Sequence, residues 1–370
     1  MKLTLVISSL SCGGAERVLV SMTKGLLDRS HQVTVITLSE KEDDFYQLPP
    51  GCSRIALGLL SQSNSLVEAV TSNTKRVTVL RRAVEASRPD AVISFLRITN
   101  VITILALLGT KYPLIVTEHN DARVFSYGKL WETLRRLTYP LCDCVVSVSQ
   151  GVDLGFTSLP ESQRAVIYNP ILVESDAPAD ELPPTVDPQQ NWLVSMGRLT
   201  EQKGFDLLLA AFAKLAPEFP DWQLLILGRG ELREQLAQTR DELNLAGRAI
   251  FTGALDNPFA VLKRAKIFVM ASRNEGFPMA HGEALACGLP VVCTDCPSGP
   301  AEMIRQDVDG LLVPNQDVDS LAAGMKSMMS DESQRQQFAA RAPEVLERFG
   351  LEAIAAEWEA LIIQLLEQAK

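Results

Sequence analysis

The chain has 370 residues, 46% hydrophobic and 22% charged, with a formal net charge of −10. That length exceeds one ordinary core, so two globular domains are expected. The acidic balance argues against a nucleic-acid binder, and no stretch reaches the roughly 18 apolar residues of a membrane span.

The first run, "LTLVISSL", is short, broken by serines and preceded by one basic residue. It leads into an amphipathic pattern, so a buried first strand is favoured over a secretion signal. A helix is expected from about Ala15 to Arg29. Between them, "SLSCGGAER" puts Gly13 and Gly14 where a ligand can approach backbone and the helix N-terminus offers amides to an anion. A dinucleotide turn competes, because Glu40 follows the second strand, but G-x-G-x-x-G is absent. A plain tight turn is the bland alternative.

"QVTVITL" follows, and then "TKRVTVLRRAVEASRPD" as a helix from about Thr74 to Ser87. At about 100° per residue, Lys75 and Arg82 fall opposite Val77, Leu80 and Val84, with Arg76, Arg81 and Arg88 flanking. Residues 1–170 carry 18 Lys and Arg against 15 Asp and Glu, and the remainder 17 against 30. An anionic partner therefore suits the first half better, either a lipid-linked diphosphate or a membrane surface, although a solvated helix face would look alike.

"AVISFL", "PLIVTEH" and "CVVSVS" continue a β-α-β rhythm, and "VIYNPI" ends it. The rhythm implies a parallel sheet with helices on both faces. "VTEHND" places His119 at a strand end, flanked by Glu118 and Asn120. "RVFSYGKLWETLRRLTYPL" sets Phe125, Tyr127 and Trp131 beside Arg135 and Arg136, as a second interfacial patch or as core.

Residues 174–190, acidic and proline-rich, have a linker's composition. The rhythm then restarts with "NWLVSMG", a helix from Gly204, "QLLILG", a helix from Glu231, "AIFTG", "IFVMAS", "PVVCTD" and "GLLVP". The expected domains are 1–175, a linker 176–190, 191–350, and a C-terminal helix 351–370 crossing back to the first domain. In "GRLTEQKGFDLLL", Gly197 and Gly204 frame Arg198 and Lys203, and two fixed cations at a strand end suit a diphosphate. Seven cysteines, at 12, 52, 142, 144, 287, 293 and 296, include one lone C-x-x-C. No second pair completes a zinc site, so reduced thiols are expected.

"EGFPMAHGEALACGLPVV" carries Glu275 and Glu283. On one continuous helix they would stand about 12 Å apart. Proline belongs at a helix start, so Pro278 puts Glu275 in the loop and Glu283 inside the helix. Amides near Gly276 and Phe277 then face the same space, with the helix dipole favouring an anion there. Two carboxylates first suggest hydrolytic acid–base work, but this placement gives them different jobs.

Together "GGAER", "EHN", "GR…QKG", "EGFP…EA.ACGLPVV" and "DGLLVP" resemble glycosyltransferase family 4, the retaining enzymes of the GT-B fold. The likeness spans nearly the whole chain. It looks nearest to the subgroup that builds surface polysaccharides and lipid-linked oligosaccharides, notably galactosyl- and N-acetylgalactosaminyltransferases. The resemblance implies an α/β protein of two doubly wound, Rossmann-like domains facing each other across a cleft, the first for the acceptor. It implies a UDP-sugar co-substrate, no metal or other cofactor, and a glycan or lipid-diphosphate-linked acceptor. The setting implied is cytoplasmic, in peripheral contact with the inner membrane face.

The resemblance also implies roles. Arg198 and Lys203 would hold the diphosphate and neutralise it as the sugar departs. Glu275, with the amides of Gly276, Phe277 and Pro278's neighbours, would grip the sugar hydroxyls, and Glu283 those of the ribose. His119 would sit near the sugar's C6 oxygen. Gly14 and Gly197 would make room for phosphates, with Gly228 and Gly230 near the nucleoside. Glu16, Arg17, Lys75, Arg76 and Arg82 would meet the acceptor. His281 and Gly282 depart from the pattern, standing where the family has bulky aliphatics. A sugar-nucleotide epimerase on the same fold and a non-catalytic nucleotide-sugar sensor are the alternatives.

Overall fold

A computed structural model describes residues 1–60, 66–126, 128–173 and 182–368. The expected boundary at 175 and linker start at 176, Tyr127, and residues 369–370 lie outside the described residues. The chain divides into two compact units, Met1–Pro170 with Gly350–Lys370, and Ile171–Phe349.

Unit 1 is built on seven strands: β1 Lys2–Ile7, β2 Gln32–Thr37, β3 Ser53–Ala56, β4 Ala91–Phe95, β5 Leu114–Glu118, β6 Cys144–Ser147 and β7 Arg164–Val166. All pairings are parallel, in the order β3-β2-β1-β4-β5-β6-β7. The apolar runs "LTLVI", "AVISF" and "CVVS" do not alternate, because both faces of a parallel sheet are covered. Leu5 of β1 pairs with Val35 on one side and Ile93 on the other, and all three are fully buried. The strand order therefore reverses between β1 and β4.

Two expectations need correction in this unit, and one strand carried no expectation. "SRIA" forms edge strand β3, too short and too polar to carry a sequence pattern. "VIYNPI" contributes only its first residue to β7, and the chain leaves the sheet ahead of Pro170, which cannot donate to a ladder. The basic helix spans Leu66–Ser87 and so starts eight residues before Thr74. Ser72, Asn73 and Thr74 look like caps in the sequence, but they stand inside the helix.

The helix Leu351–Gln368 packs on the helix Gly14–Asp28 through Ile354, Ala355, Trp358, Ile362 and Leu365, buried at helical spacing. Gly25 permits the close approach: a Cβ there would lie 2.9 Å from the Cβ of Ala355. Arg29 Nε donates to Glu359 Oε2 at 3.0 Å across the same pair.

Unit 2 has six parallel strands: β8 Asn191–Met196, β9 Trp222–Leu227, β10 Ala249–Gly253, β11 Ile267–Met270, β12 Val291–Asp295 and β13 Gly310–Pro314. Their order is β10-β9-β8-β11-β12-β13, which reverses between β8 and β11. Leu193, Phe205, Phe212, Leu224, Val269 and Met325 lie in its main core. The end of the expected linker packs here. Val186 is buried, Asp187 N donates to Gln223 Oε1 at 2.9 Å, and Trp192 Nε1 donates to Asp187 O at 3.0 Å.

Candidate functional site

In an open parallel sheet, ligands sit outside the carboxyl ends of the strands where the order reverses. In unit 2 that point lies between the loops after β8 and β11, which carry Arg198, Lys203 and Glu275. Gly204 (φ +62) brings the first loop against the second, since a Cβ on it would lie 2.0 Å from Ala271 O. Lys203 then reaches across, with Nζ 2.6 Å from Glu275 Oε1. The same oxygen accepts Ser272 Oγ at 2.6 Å, and Thr294 Oγ1 on β12 donates to Ser272 O at 2.7 Å. Gln202 Nε2 donates to Asn274 O at 2.9 Å, and Arg273 Nη2 pairs with Asp206 Oδ2 at 2.7 Å. Arg198 is exposed and has no ion pair among the described residues. The loop pair thus presents one braced ammonium, one open guanidinium and one nearly buried carboxylate.

The surrounding glycines are needed for backbone contact. A Cβ on Gly228 (φ +144) would lie 2.0 Å from Gly197 O, and one on Gly230 2.4 Å from Leu199 O. The loop after β9 therefore lies directly on the loop after β8. Gly197 also fits under Lys203, whose Cδ would be 3.3 Å from an added Cβ. Gly299 (φ +92) supports the Gly276–Pro278 backbone, with an added Cβ 2.7 Å from Pro278 Cδ and 3.0 Å from Gly276 O. Ser272, Thr294 and Gly299 are absent from the sequence reading; "SGP" after a strand was the available signal for Gly299.

Pro278 is the N-cap of the helix Met279–Ala286, so Glu275 stands in the loop and Glu283 within the helix, buried. Phe277 is buried against Phe349, ring centroids 5.3 Å apart, so its side chain belongs to the core. Gly282 is explained by packing: a Cβ would lie 2.0 Å from Cδ1 of Ile171, which a bulky aliphatic would displace. His281 packs edge-on to Phe268 at 5.8 Å and is 1% exposed. Neither ring nitrogen meets a partner with good hydrogen-bond geometry. Burial, and then the Lys203 ammonium, push its pKa down to about 3 against a weak opposing pull from the Pro278 carbonyl.

In unit 1 the reversal point carries the loop after β1 and the turn after β4. Gly13 is the N-cap of the first helix, and Glu16 folds over it, an added Cβ falling 2.1 Å from Glu16 Oε2. Glu16 is nearly buried and accepts Ser11 Oγ at 3.4 Å, and Arg17 is half-buried. At Gly14 an added Cβ meets nothing within 4 Å. Leu96 follows β4 with φ +71, a strained value for leucine that no sequence pattern announced. It precedes Arg97, whose fully buried guanidinium pairs with Glu118 at 3.3 Å and Glu132 at 2.5 Å. Tyr139 donates its hydroxyl to Glu118. Burial pushes the Glu118 carboxyl up against the pull of Arg97.

His119 stacks on Phe95 at 5.8 Å and shares a 3.1 Å hydrogen bond with Thr117 Oγ1. Burial lowers its pKa to about 4, leaving it a neutral donor and acceptor at pH 7. On the basic helix, Leu80 and Val84 are buried while Lys75 and Arg82 are exposed. Arg76 is engaged, Nε donating to Leu59 O at 3.0 Å. All seven cysteines are free, and burial pushes the Cys296 thiol up to about 12. Among the described residues no cluster of three His, Cys, Asp or Glu stands placed to hold a metal, and no helix is long and apolar enough to cross a membrane.

A family model described as Glycosyl transferases group 1 matches residues 180–345, and one described as Glycosyltransferase Family 4 matches residues 12–174. The chain is 29% identical to the GalNAc-alpha-(1->4)-GalNAc-alpha-(1->3)-diNAcBac-PP-undecaprenol alpha-1,4-N-acetyl-D-galactosaminyltransferase of Campylobacter jejuni, over 98% of this chain and 99% of that one. It is 31% identical to the lipopolysaccharide core biosynthesis glycosyltransferase LpsE of Rhizobium meliloti, over 66% of this chain and 71% of that one. Two solved structures share its fold at 19% identity. Sucrose-phosphate synthase of Thermosynechococcus elongatus has a TM-score of 0.84 with full coverage of both chains, 100% each. HepE of Anabaena, in complex with UDP, has a TM-score of 0.76, covering 98% of this chain and 100% of that one.

Proposed function

The chain belongs to glycosyltransferase family 4, a retaining hexosyltransferase family of the GT-B fold, and from that premise we propose that it transfers a hexose or N-acetylhexosamine, of galactose or N-acetylgalactosamine type, from a UDP-sugar to a glycan carried on a lipid diphosphate. The single observation that carries the donor side is the Lys203–Glu275 pair, held at the β8/β11 reversal beside the open Arg198. A diphosphate needs cations at fixed positions, and this loop pair supplies one braced ammonium and one open guanidinium. UDP bound to HepE supports the nucleotide, and the undecaprenol-diphosphate glycan in the name of the C. jejuni relative supports a lipid-linked acceptor.

Arg198 and Lys203 hold the diphosphate and offset the charge that grows as the C1–O bond breaks. The acceptor oxygen bonds to C1 on the same face, and its proton passes to the departing phosphate oxygen. Glu275 grips the sugar hydroxyls, with the amides around Gly276, Phe277 and Pro278 beside it. Glu283 takes the ribose, next to Gly228 and Gly230. Neutral His119 meets the C6 oxygen and Gly14 leaves room at the phosphates. The first domain, with Glu16, Arg17, Lys75, Arg76 and Arg82, receives the acceptor.

The experiment is UDP release from a panel of UDP-sugars with and without a lipid-diphosphate glycan, repeated with EDTA. Acceptor-dependent release that survives EDTA and is lost in Arg198→Ala and Lys203→Ala is expected. Interconversion of the UDP-sugar without release would favour an epimerase, and near-normal transfer by both variants would overturn the site.

A further inference from the structure

Strand β5 runs straight into His119, and the side chains around it decide which ring nitrogen carries the proton. His119 Nε2 and Thr117 Oγ1 are 3.1 Å apart. Thr117 is buried, and its hydroxyl has one other partner among the described residues, the main-chain oxygen of Ser94 on β4, at 3.1 Å. A carbonyl oxygen can only accept. With its single proton given to Ser94, the hydroxyl is left as an acceptor, and the ring is the donor. The reverse arrangement, a hydroxyl donating to a bare Nε2, forfeits the Ser94 bond between two buried strands. Because the ring is neutral at pH 7, a proton on Nε2 leaves Nδ1 as a lone pair.

The ring is held in that orientation. It stacks on Phe95, with centroids 5.8 Å apart and planes at 26°. Turning it over would set a C–H against the Thr117 hydroxyl. The peptide before it is anchored as well. Glu118 O accepts Val148 N at 3.2 Å, and the Glu118 carboxylate is held by Arg97 Nη2 at 3.3 Å and by the Tyr139 hydroxyl. Among the described residues, Nδ1 has no hydrogen-bond partner, and the ring is only half-buried.

The structure assigns His119 the Nε2–H tautomer, with Thr117 as the positioning residue that sets it, so that Nδ1 offers the donor sugar a hydrogen-bond acceptor. An acceptor takes a hydroxyl and turns away a group that has no proton to give. The sugar class that fits is one with a hydroxymethyl group at C6. A 6-deoxy sugar loses one bond there, and a uronic acid sets its carboxylate against the Nδ1 lone pair. This choice of sugar rests on the function proposed above; the tautomer does not, and the two are measured separately.

The full chain is labelled with 15N in its three histidines, and two-bond 15N–1H correlation spectra tell the neutral tautomers apart. Loss of one set of signals in His119→Phe identifies the ring. At pH 7 the Nε2–H pattern is expected, with a slowly exchanging proton. Thr117→Val keeps the side-chain shape and removes the hydroxyl, so it should speed that exchange about ten-fold or more and let the tautomers mix; Thr117→Ser should restore both. An Nδ1–H or doubly protonated ring in the parent chain overturns the assignment. So does a Thr117→Val protein whose tautomer and exchange are both unchanged. Turnover is then compared across UDP-hexoses, their 6-deoxy analogues and their uronic acids. kcat/KM should fall about ten-fold for the deoxy sugar and about 100-fold or more for the uronic acid. Equal use of a hexose and its uronic acid overturns the acceptor role of Nδ1 and leaves the transferase reading intact. Failure to use any UDP-sugar overturns the transferase reading, and with it the sugar's place at Nδ1, while the spectra still decide the tautomer.

Discussion

Lys203 Nζ stands 2.6 Å from Glu275 Oε1, joining the loop after β8 to the loop after β11 where the strand order reverses. The bond fixes the ammonium before any ligand arrives, so little reorganisation is left for the reaction. Glu275 is 7% exposed, and without lysine it keeps, among the described residues, the Ser272 hydroxyl. Breaking a fully buried pair costs several kcal/mol; the Lys203 side chain is 19% exposed, so about 1–3 kcal/mol is expected here. Urea denaturation of Lys203→Met should show that loss, with kcat reduced about 100-fold or more. In the double variant with Glu275→Gln the stability losses should fall well short of additive. Simple additivity would mean that the two side chains do not act together.

The glycines divide into two kinds, and alanine should separate them. At Gly228 a Cβ collides with Gly197 O at 2.0 Å and φ is +144, so Gly228→Ala should cost about 1–3 kcal/mol or more and shift the melting of unit 2. At Gly14, the first residue of its helix, nothing lies within 4 Å. Gly14→Ala should leave stability unchanged or raise it by roughly 0.5–1 kcal/mol. If Gly14 makes room for donor phosphates, turnover still falls. A Gly14→Ala protein that is both as stable and as active as the parent would remove that role.

Much of this site was legible because its logic is local. "GRLTEQKG" and "EGFP" each follow an unmistakable buried strand, so their residues had to emerge at carboxyl ends. Pro278 separated Glu275 from Glu283 by the same kind of argument, and the helix does begin directly after it. The direct Lys203–Glu275 bond was not legible, because the contact spans 72 residues and depends on strand order. Gly282 looked anomalous for a similar reason: its neighbour, Ile171, is remote in sequence. The buried Arg97–Glu118–Tyr139 network was hidden because "FLRITN" reads as an ordinary helix start.

Glu283 offers a test that separates binding from chemistry. It is 1% exposed within a helix, so Glu283→Gln should preserve shape. A carboxylate that binds ribose hydroxyls equally in ground and transition states should, when neutralised, raise the donor KM about 10- to 100-fold with kcat nearly kept. Glu275→Gln should instead lower kcat, since the sugar it grips is the group that gains charge. Steady-state kinetics against donor concentration decides the matter. The reverse pattern, with kcat falling only in Glu283→Gln, would exchange the two roles.

His281 gives the last prediction, and its sign follows from burial. An unfolded histidine takes up a proton below about pH 6.5, whereas His281 in the folded chain does so only near pH 3. Between those values the unfolded state binds more protons, so stability is complete above about pH 6.5 and is lost as pH falls. From pH 7.5 to 5 the loss from this one ring amounts to about 2 kcal/mol. His281→Leu restores an aliphatic side chain against Phe268 and removes two ring nitrogens that have no good partner. It should raise stability at pH 7.5 by about 1 kcal/mol. It should also shrink the gap between pH 7.5 and pH 5 by about 2 kcal/mol, while His119 and the carboxylates keep their share. Urea denaturation at the two pH values measures both. An unchanged gap would mean that the folded ring titrates near its ordinary value and is reached by water.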